Sequence, residues 1–221
     1  MASYDPHASR ARQCIRLSEQ KKAETAILFI DVQAYTCSRS SILYTSQPQK
    51  DFDYFFNRID TVCRGNWKLL AESSRKAGIA VFSTAIQSLR QDGLDRSKDY
   101  VLSGFHVPPE CDEARLLPEI RSEDPNEICF PKTSSSVFNS TTINYVLRNM
   151  GINSLIVCGC LTDQCVDHAI RDGCDLGYMI FAPEDACATF SEERHHSAVA
   201  AFAGYCQPCS TAQVVEELSK I

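Results

Sequence analysis

The chain has 221 residues, 44% of them hydrophobic and 23% charged, the composition of an ordinary globular protein long enough to bury a continuous core. A net charge of −6 argues against nucleic acid or an anionic membrane as partner, since both demand basic surface. No apolar run approaches the ~20 residues that span a bilayer. Twelve cysteines would suit a disulfide scaffold in a short secreted chain. Here Cys158, Cys160 and Cys174 fall in or beside apolar segments, where a reduced thiol serves as a small hydrophobe, and the expected compartment is the reducing cytoplasm.

Residues 1–24 read as a polar N-terminal extension without the apolar stretch of a secretory signal. Arg10, Arg12 and Arg16 leave an organelle-targeting reading open, and Asp5 and Glu19 count against it. A single domain is expected over 25–221. Its first strand is the apolar run Thr25–Ile30, of the kind buried on both faces of a parallel sheet, and it ends at Asp31. Residues 32–51 read as a loop. From Phe52 to Ala77 apolar residues recur at helical spacing, with Gly78 as C-terminal cap. Ile79–Thr84 is the second strand, and a long polar connection from Gln87 to Asn126 follows, of a length that often carries function.

Glu127–Phe130 is the third strand and delivers Lys132 just past its end. A helix from Thr141 is stopped by Gly151, and Ser154–Cys158 is the fourth strand. The next helix begins near Thr162 and runs toward Gly177. Tyr178–Ala182 is the fifth strand, Ser191 caps another helix, a short edge strand is expected near Tyr205–Cys209, and Thr211–Leu218 is a terminal helix. This alternation predicts an α/β fold, a doubly wound, Rossmann-like three-layer α/β/α sandwich around a parallel sheet. Ligands in that architecture bind beyond the carboxyl ends of the strands.

Asp31, Lys132 and Cys165 all lie at or just past such ends, which turns three scattered residues into one candidate site. Cys165 opens a helix, where unpaired N–H groups and the positive dipole end favour the nucleophilic thiolate. Asp31 has the chemistry to take the thiol proton and return it to a leaving amine. Lys132 supplies the cation that favours both anions. The helix start offers its own N–H groups to a developing oxyanion. Acyl transfer from a small amide to the thiol, then hydrolysis of the thioester, is the reaction these groups permit.

On these residues the chain resembles the isochorismatase-like cysteine hydrolase superfamily. The Asp–Lys–Cys triad of that superfamily falls on Ile30-Asp31-Val32-Gln33, Pro131-Lys132-Thr133 and Gly159-Cys160-Leu161-Thr162-Asp163-Gln164-Cys165-Val166. Phe138-Asn139-Ser140-Thr141 and Glu184-Asp185-Ala186-Cys187-Ala188 match as well. The resemblance runs from about Thr25 to the C-terminus and is weakest over 87–126. It implies a six-stranded parallel sheet, a homo-oligomer, and a cis peptide at Cys160–Leu161. That bond would aim the N–H of Leu161, with that of Cys165, into an oxyanion hole. Nicotinamidases of this superfamily carry an Asp and several His metal ligands between the first two strands. Val32–Ile86 contains no histidine, so neither metal nor cofactor is expected. True isochorismatases cleave a vinyl ether and place no cysteine at the nucleophile position. What remains is a metal-independent amidohydrolase for a small amide, ureide or N-carbamoyl compound.

Gln33 and Gln87, after the first two strands, are candidates to hydrogen-bond that substrate, and Phe138 to wall it. His168, one helical turn after Cys165, suggests a Cys–His dyad, although its place along the helix points it away from the mouth. Cys206-Gln207-Pro208-Cys209 has the spacing of a redox pair or half a zinc site. The alternation of Asp92, Asp95 and Asp99 with Arg90, Arg96 and Lys98 reads as a solvated face, and the long connection as a lid or an oligomer contact. The alternatives to the leading reading are a nicotinamidase-type amidase and a thiol redox or interaction protein on the same fold.

Overall fold

A computed structural model describes residues 17–45 and 48–220. The expected strands form one parallel sheet in the order β3-β2-β1-β4-β5-β7, with the very short β6 set against β4. The strands are β1 (Thr25–Ile30), β2 (Ala80–Ile86), β3 (Ile128–Lys132), β4 (Ser154–Cys160), β5 (Met179–Pro183), β6 (Cys187–Ala188) and β7 (Gln207–Cys209). β1 and β4 are buried at every position, as their continuous apolar runs require when helices cover both faces. The chain leaves β1 toward β2 and β3, then returns to the other side of β1 with β4. That reversal makes the gap between β1 and β4 the switch point where this architecture opens a crevice.

The strands run further than the sequence indicates. β2 continues to Ile86 and β3 to Lys132, so Lys132 is a strand residue. β6 is unexpected. β5 pairs only with the first half of β4, at 154–156, and Cys187–Ala188 takes its place beside Gly159 and Cys160. A two-residue strand that fills a gap left by a diverging neighbour has no run of its own to betray it.

The helices are α1 (Ala34–Cys37), α2 (Asp53–Arg58), α3 (Arg64–Ala77), α4 (Lys98–Leu102), α5 (Val137–Ser140), α6 (Ile143–Asn149), α7 (Cys165–Asp175), α8 (Glu192–Phe202) and α9 (Thr211–Leu218). A π-helical turn, Ile59–Cys63, joins α2 to α3. Gly78 ends α3 in the left-handed conformation, with its N–H on Ser74 and Arg75 carbonyls, the expected glycine cap. Ser191 caps α8 by accepting the N–H of Arg194. Leu17 is buried in the core and Ser18 donates to Glu217 on α9, so the end of the N-terminal extension is docked. Arg10, Arg12 and Arg16 lie outside the described residues.

Candidate active site

Two strand ends and one helix start meet at the switch point. Asp31 follows β1 with φ 52, a left-handed conformation that costs a non-glycine residue of order 1 kcal/mol or more and persists only where surroundings enforce it. Thr84 on β2 does so here. Its hydroxyl accepts the Asp31 N–H at 3.0 Å and donates to Asp31 Oδ1 at 2.6 Å. Gly159 on β4 lies against β1, where a Cβ would fall 2.1 Å from the carbonyl oxygen of Ile30. Only glycine lets the two backbones come this close. The peptide Cys160–Leu161 is cis, and the turn then opens α7 at Cys165.

Lys132 joins the three expected residues. It and Asp31 are wholly buried, and Cys165 is 6% exposed. The ammonium has three N–H bonds, and its aligned acceptors are Tyr100 Oη at 2.8 Å, Ser134 O at 3.1 Å and Cys165 Sγ at 3.3 Å. Asp31 Oδ2 sits 2.9 Å away as a charge partner. It accepts no aligned hydrogen bond among the described residues, which leaves that oxygen with lone pairs for a proton.

The charges do not favour a resting thiolate, contrary to expectation. Burial pushes the Cys165 thiol up to about 11. The pull of Lys132 is outweighed once the Asp31 charge and its hydrogen bond to the thiol are added. A second negative charge in a buried site that already holds a carboxylate is disfavoured. For Lys132 burial is also the largest influence and works downward, yet Asp31, Cys165 and Tyr100 together carry it well above its usual value. These directions favour the thiol form of Cys165 and the ammonium form of Lys132.

A cavity of about 370 Å³ opens onto Asp31 and Cys165, toward the small end of the ~300–1,000 Å³ typical of ligand pockets. Cys160, Leu161, Gln164, Ile86, Phe105, Phe52 and Phe190 are among the residues that line it. The N–H groups of Leu161 and Cys165 meet no backbone carbonyl among the described residues, so both donors remain available at the turn.

The sequence pattern of the isochorismatase domain matches residues 25–214. The chain belongs to the isochorismatase family. Within it, the ureidoacrylate amidohydrolase of Agrobacterium fabrum is 28% identical over 190 residues, covering 75% of this chain and 76% of that protein. A nicotinamidase of Arabidopsis thaliana is 31% identical over 87 residues, 38% of this chain and 43% of that protein. The crystal structure of a cysteine hydrolase from Pseudomonas syringae superposes with a TM-score of 0.74 at 22% identity, over 91% of this chain and 96% of that one. An N-carbamoylsarcosine amidase from Thermoplasma acidophilum gives 0.64 at 19%, over 85% and 96%. At these identities the structural matches establish the shared fold.

Three expected substrate contacts of this isochorismatase-family chain lie elsewhere. Gln33 is buried as a strap. Its amide accepts from Ile86 N at 2.6 Å and donates to Ile86 O at 3.2 Å and Glu113 O at 3.1 Å, so both its donors are engaged, and it is not on the cavity lining. Gln87 is half-buried off the lining, where its backbone N–H donates to Lys132 O. Phe138 stacks on Tyr178 with centroids 5.8 Å apart and presses on Gly173 of α7. His168 is exposed on α7 and its Nδ1 turns back to Gln164 O.

Sequence reasoning missed Tyr100, Thr84 and His195. Tyr100 sits in the long connection, which is the wall over the site. Ser97 N donates to Thr133 O, and α4 thereby presents Tyr100 Oη to Lys132. His195 on α8 is buried against the nucleophile turn. Arg58 Nη2 lies 2.9 Å from His195 Nε2 and can only donate. The ring is therefore neutral with its proton on Nδ1, donating to Thr162 Oγ1 at 3.0 Å. Burial, then the Arg58 charge, lowers His195 to about 4. No spacing rule links α8 to a turn some thirty residues earlier.

Proposed function

We propose that the chain is a cysteine-dependent, metal-independent amidohydrolase. It cleaves the C–N bond of a small amide, ureide or N-carbamoyl compound. What carries this reading is Lys132 held between Asp31 and Cys165 at 2.9 and 3.3 Å, beneath a cavity of substrate size. Asp31 takes the Cys165 proton as the sulfur attacks the substrate carbonyl. The carbonyl electrons move to oxygen, where the Leu161 and Cys165 N–H groups receive them. The oxyanion collapses, the C–N bond breaks, and Asp31 passes its proton to the departing nitrogen. Ammonia or an amine leaves and a thioester remains. Water, deprotonated by Asp31, attacks the thioester; the C–S bond breaks and the proton returns to sulfur. Lys132 stays an ammonium throughout and compensates whichever partner is anionic.

Metal independence is supported by the residues present. Val32–Ile86 has no histidine, and among the described residues no three His, Cys, Asp or Glu side chains group to hold an ion. The redox alternative has weaker support. The eleven described cysteines are reduced, Cys206 is buried, and burial raises Cys209 to about 12, unlike the exposed low-pKa thiol such chemistry needs. No helix among the described residues is long and apolar enough to cross a membrane; a cytoplasmic homo-oligomer remains part of the proposal. The test is ammonia release across nicotinamide, biuret, simple ureides and N-carbamoyl amino acids, with and without chelator. Cys165→Ala should abolish turnover with an unchanged circular dichroism spectrum. Full turnover in that variant would end the proposal.

A further inference from the structure

The charge lining the cavity narrows the substrate. Leu43, Phe52, Ile86, Phe105 and Phe190 make its walls largely apolar and aromatic. Among the described residues no lysine, arginine or histidine lines it. Beyond Asp31, the one charged group on the lining among the described residues is another carboxylate, Asp51.

Lys132, Arg194, Arg96 and Arg39 are engaged elsewhere, and Lys50, exposed next to Asp51 in the chain, is not on the lining. Lys132 is compensated by Asp31. Arg194 stacks over the Phe190 ring and pairs with Asp163. Arg96 donates to Gly93 O and Phe105 O, and Arg39 stacks on Phe56 and pairs with Asp53.

A bound carboxylate needs a cation or several aligned donors to offset the loss of its hydration. Thr36, Tyr44, Ser135 and Gln164 bring uncharged polar groups to the lining, and among the described residues its charged groups are two carboxylates, Asp31 and Asp51. We infer that the substrate is an uncharged carboxamide or ureide with an apolar or aromatic body. Carboxylate-bearing ureides, the kind named for the Agrobacterium and Thermoplasma relatives, are rejected. The inference rests on the amidohydrolase reading for the identity of the scissile bond, and on the lining alone for the charge selection.

Two alkylating agents of nearly equal size separate the two. Iodoacetamide is neutral and iodoacetate anionic, and modification of Cys165 is followed by peptide mass. The ratio of their rates is divided by the same ratio for glutathione at the same pH. An excess of at least tenfold for the neutral reagent is expected, about 1.4 kcal/mol of discrimination, and Asp51→Lys should cut it at least threefold. A ratio equal to that of glutathione, a preference for iodoacetate, or no labelling of Cys165 by either reagent overturns the inference. Benzamide and 4-carboxybenzamide then carry the comparison to ammonia release. Turnover of benzamide alone supports both readings, and preference for the carboxylated amide overturns the charge selection. If neither is turned over, the response of Cys165 to the two reagents still decides the charge selection, and the ammonia screen decides the amidohydrolase reading.

Discussion

Replacing Thr84 with valine removes one oxygen and keeps the side-chain shape, so its effect isolates the two hydrogen bonds that hold Asp31. The bond to Oδ1, at 2.6 Å, is charge-assisted and buried. Such a bond contributes roughly 1.5–3 kcal/mol, and the bond from the Asp31 N–H adds about 1. Asp31 Oδ2 has no aligned hydrogen bond to compensate, and the left-handed backbone at Asp31 loses what enforces it. A loss of about 3 kcal/mol follows, which for a domain of this size lowers the melting temperature by roughly 6–12 °C. Thr84→Ser, which keeps the hydroxyl, should recover most of it. Differential scanning fluorimetry reads the shift, and urea unfolding gives the free energy. A valine variant that melts within about 2 °C of the parent would refute the reasoning, because a buried carboxylate cannot lose the hydroxyl that holds both its Oδ1 and its backbone N–H without cost.

Further expectations concern pH. With Cys165 pushed up to about 11, its alkylation by iodoacetamide should climb about tenfold per pH unit from 6 to 9, as the thiolate fraction does. A plateau above neutral pH would mean a preformed thiolate. His195 is lowered from its usual range to about 4, so the unfolded chain binds its proton more readily than the folded one. Stability should therefore be fully present above pH ~6.5 and fall as pH drops toward 4; His195→Gln should flatten the slope of urea-unfolding free energy across that window, and an unchanged slope would assign the effect to other groups.

The sheet was legible because a strand buried on both faces has no polar positions to disguise it, as at Ile27–Ile30 and Leu155–Cys158. Asp31, Lys132 and Cys165 were legible because strand ends are the one place where this architecture exposes chemistry. The second ring of residues was not. Gln33 and Phe138 have the right composition to touch a substrate, yet their contacts depend on what the long connection and α7 bring to them. Tyr100 and His195 owe their positions to packing across tens of residues, and their neighbours in sequence carry no trace of it. The upward push on the Cys165 thiol was not legible for the same reason. A helix start is visible in a sequence, whereas the depth of burial and a second carboxylate beside the sulfur are not.

Gly159 has a consequence for how this protein tolerates change. Because main chain meets main chain between β1 and β4, no side chain stands between the strand that ends in the acid and the strand that leads to the nucleophile. Core residues elsewhere can be exchanged, and the layers can settle by fractions of an ångström, without a rotamer at this seam to pass the adjustment on.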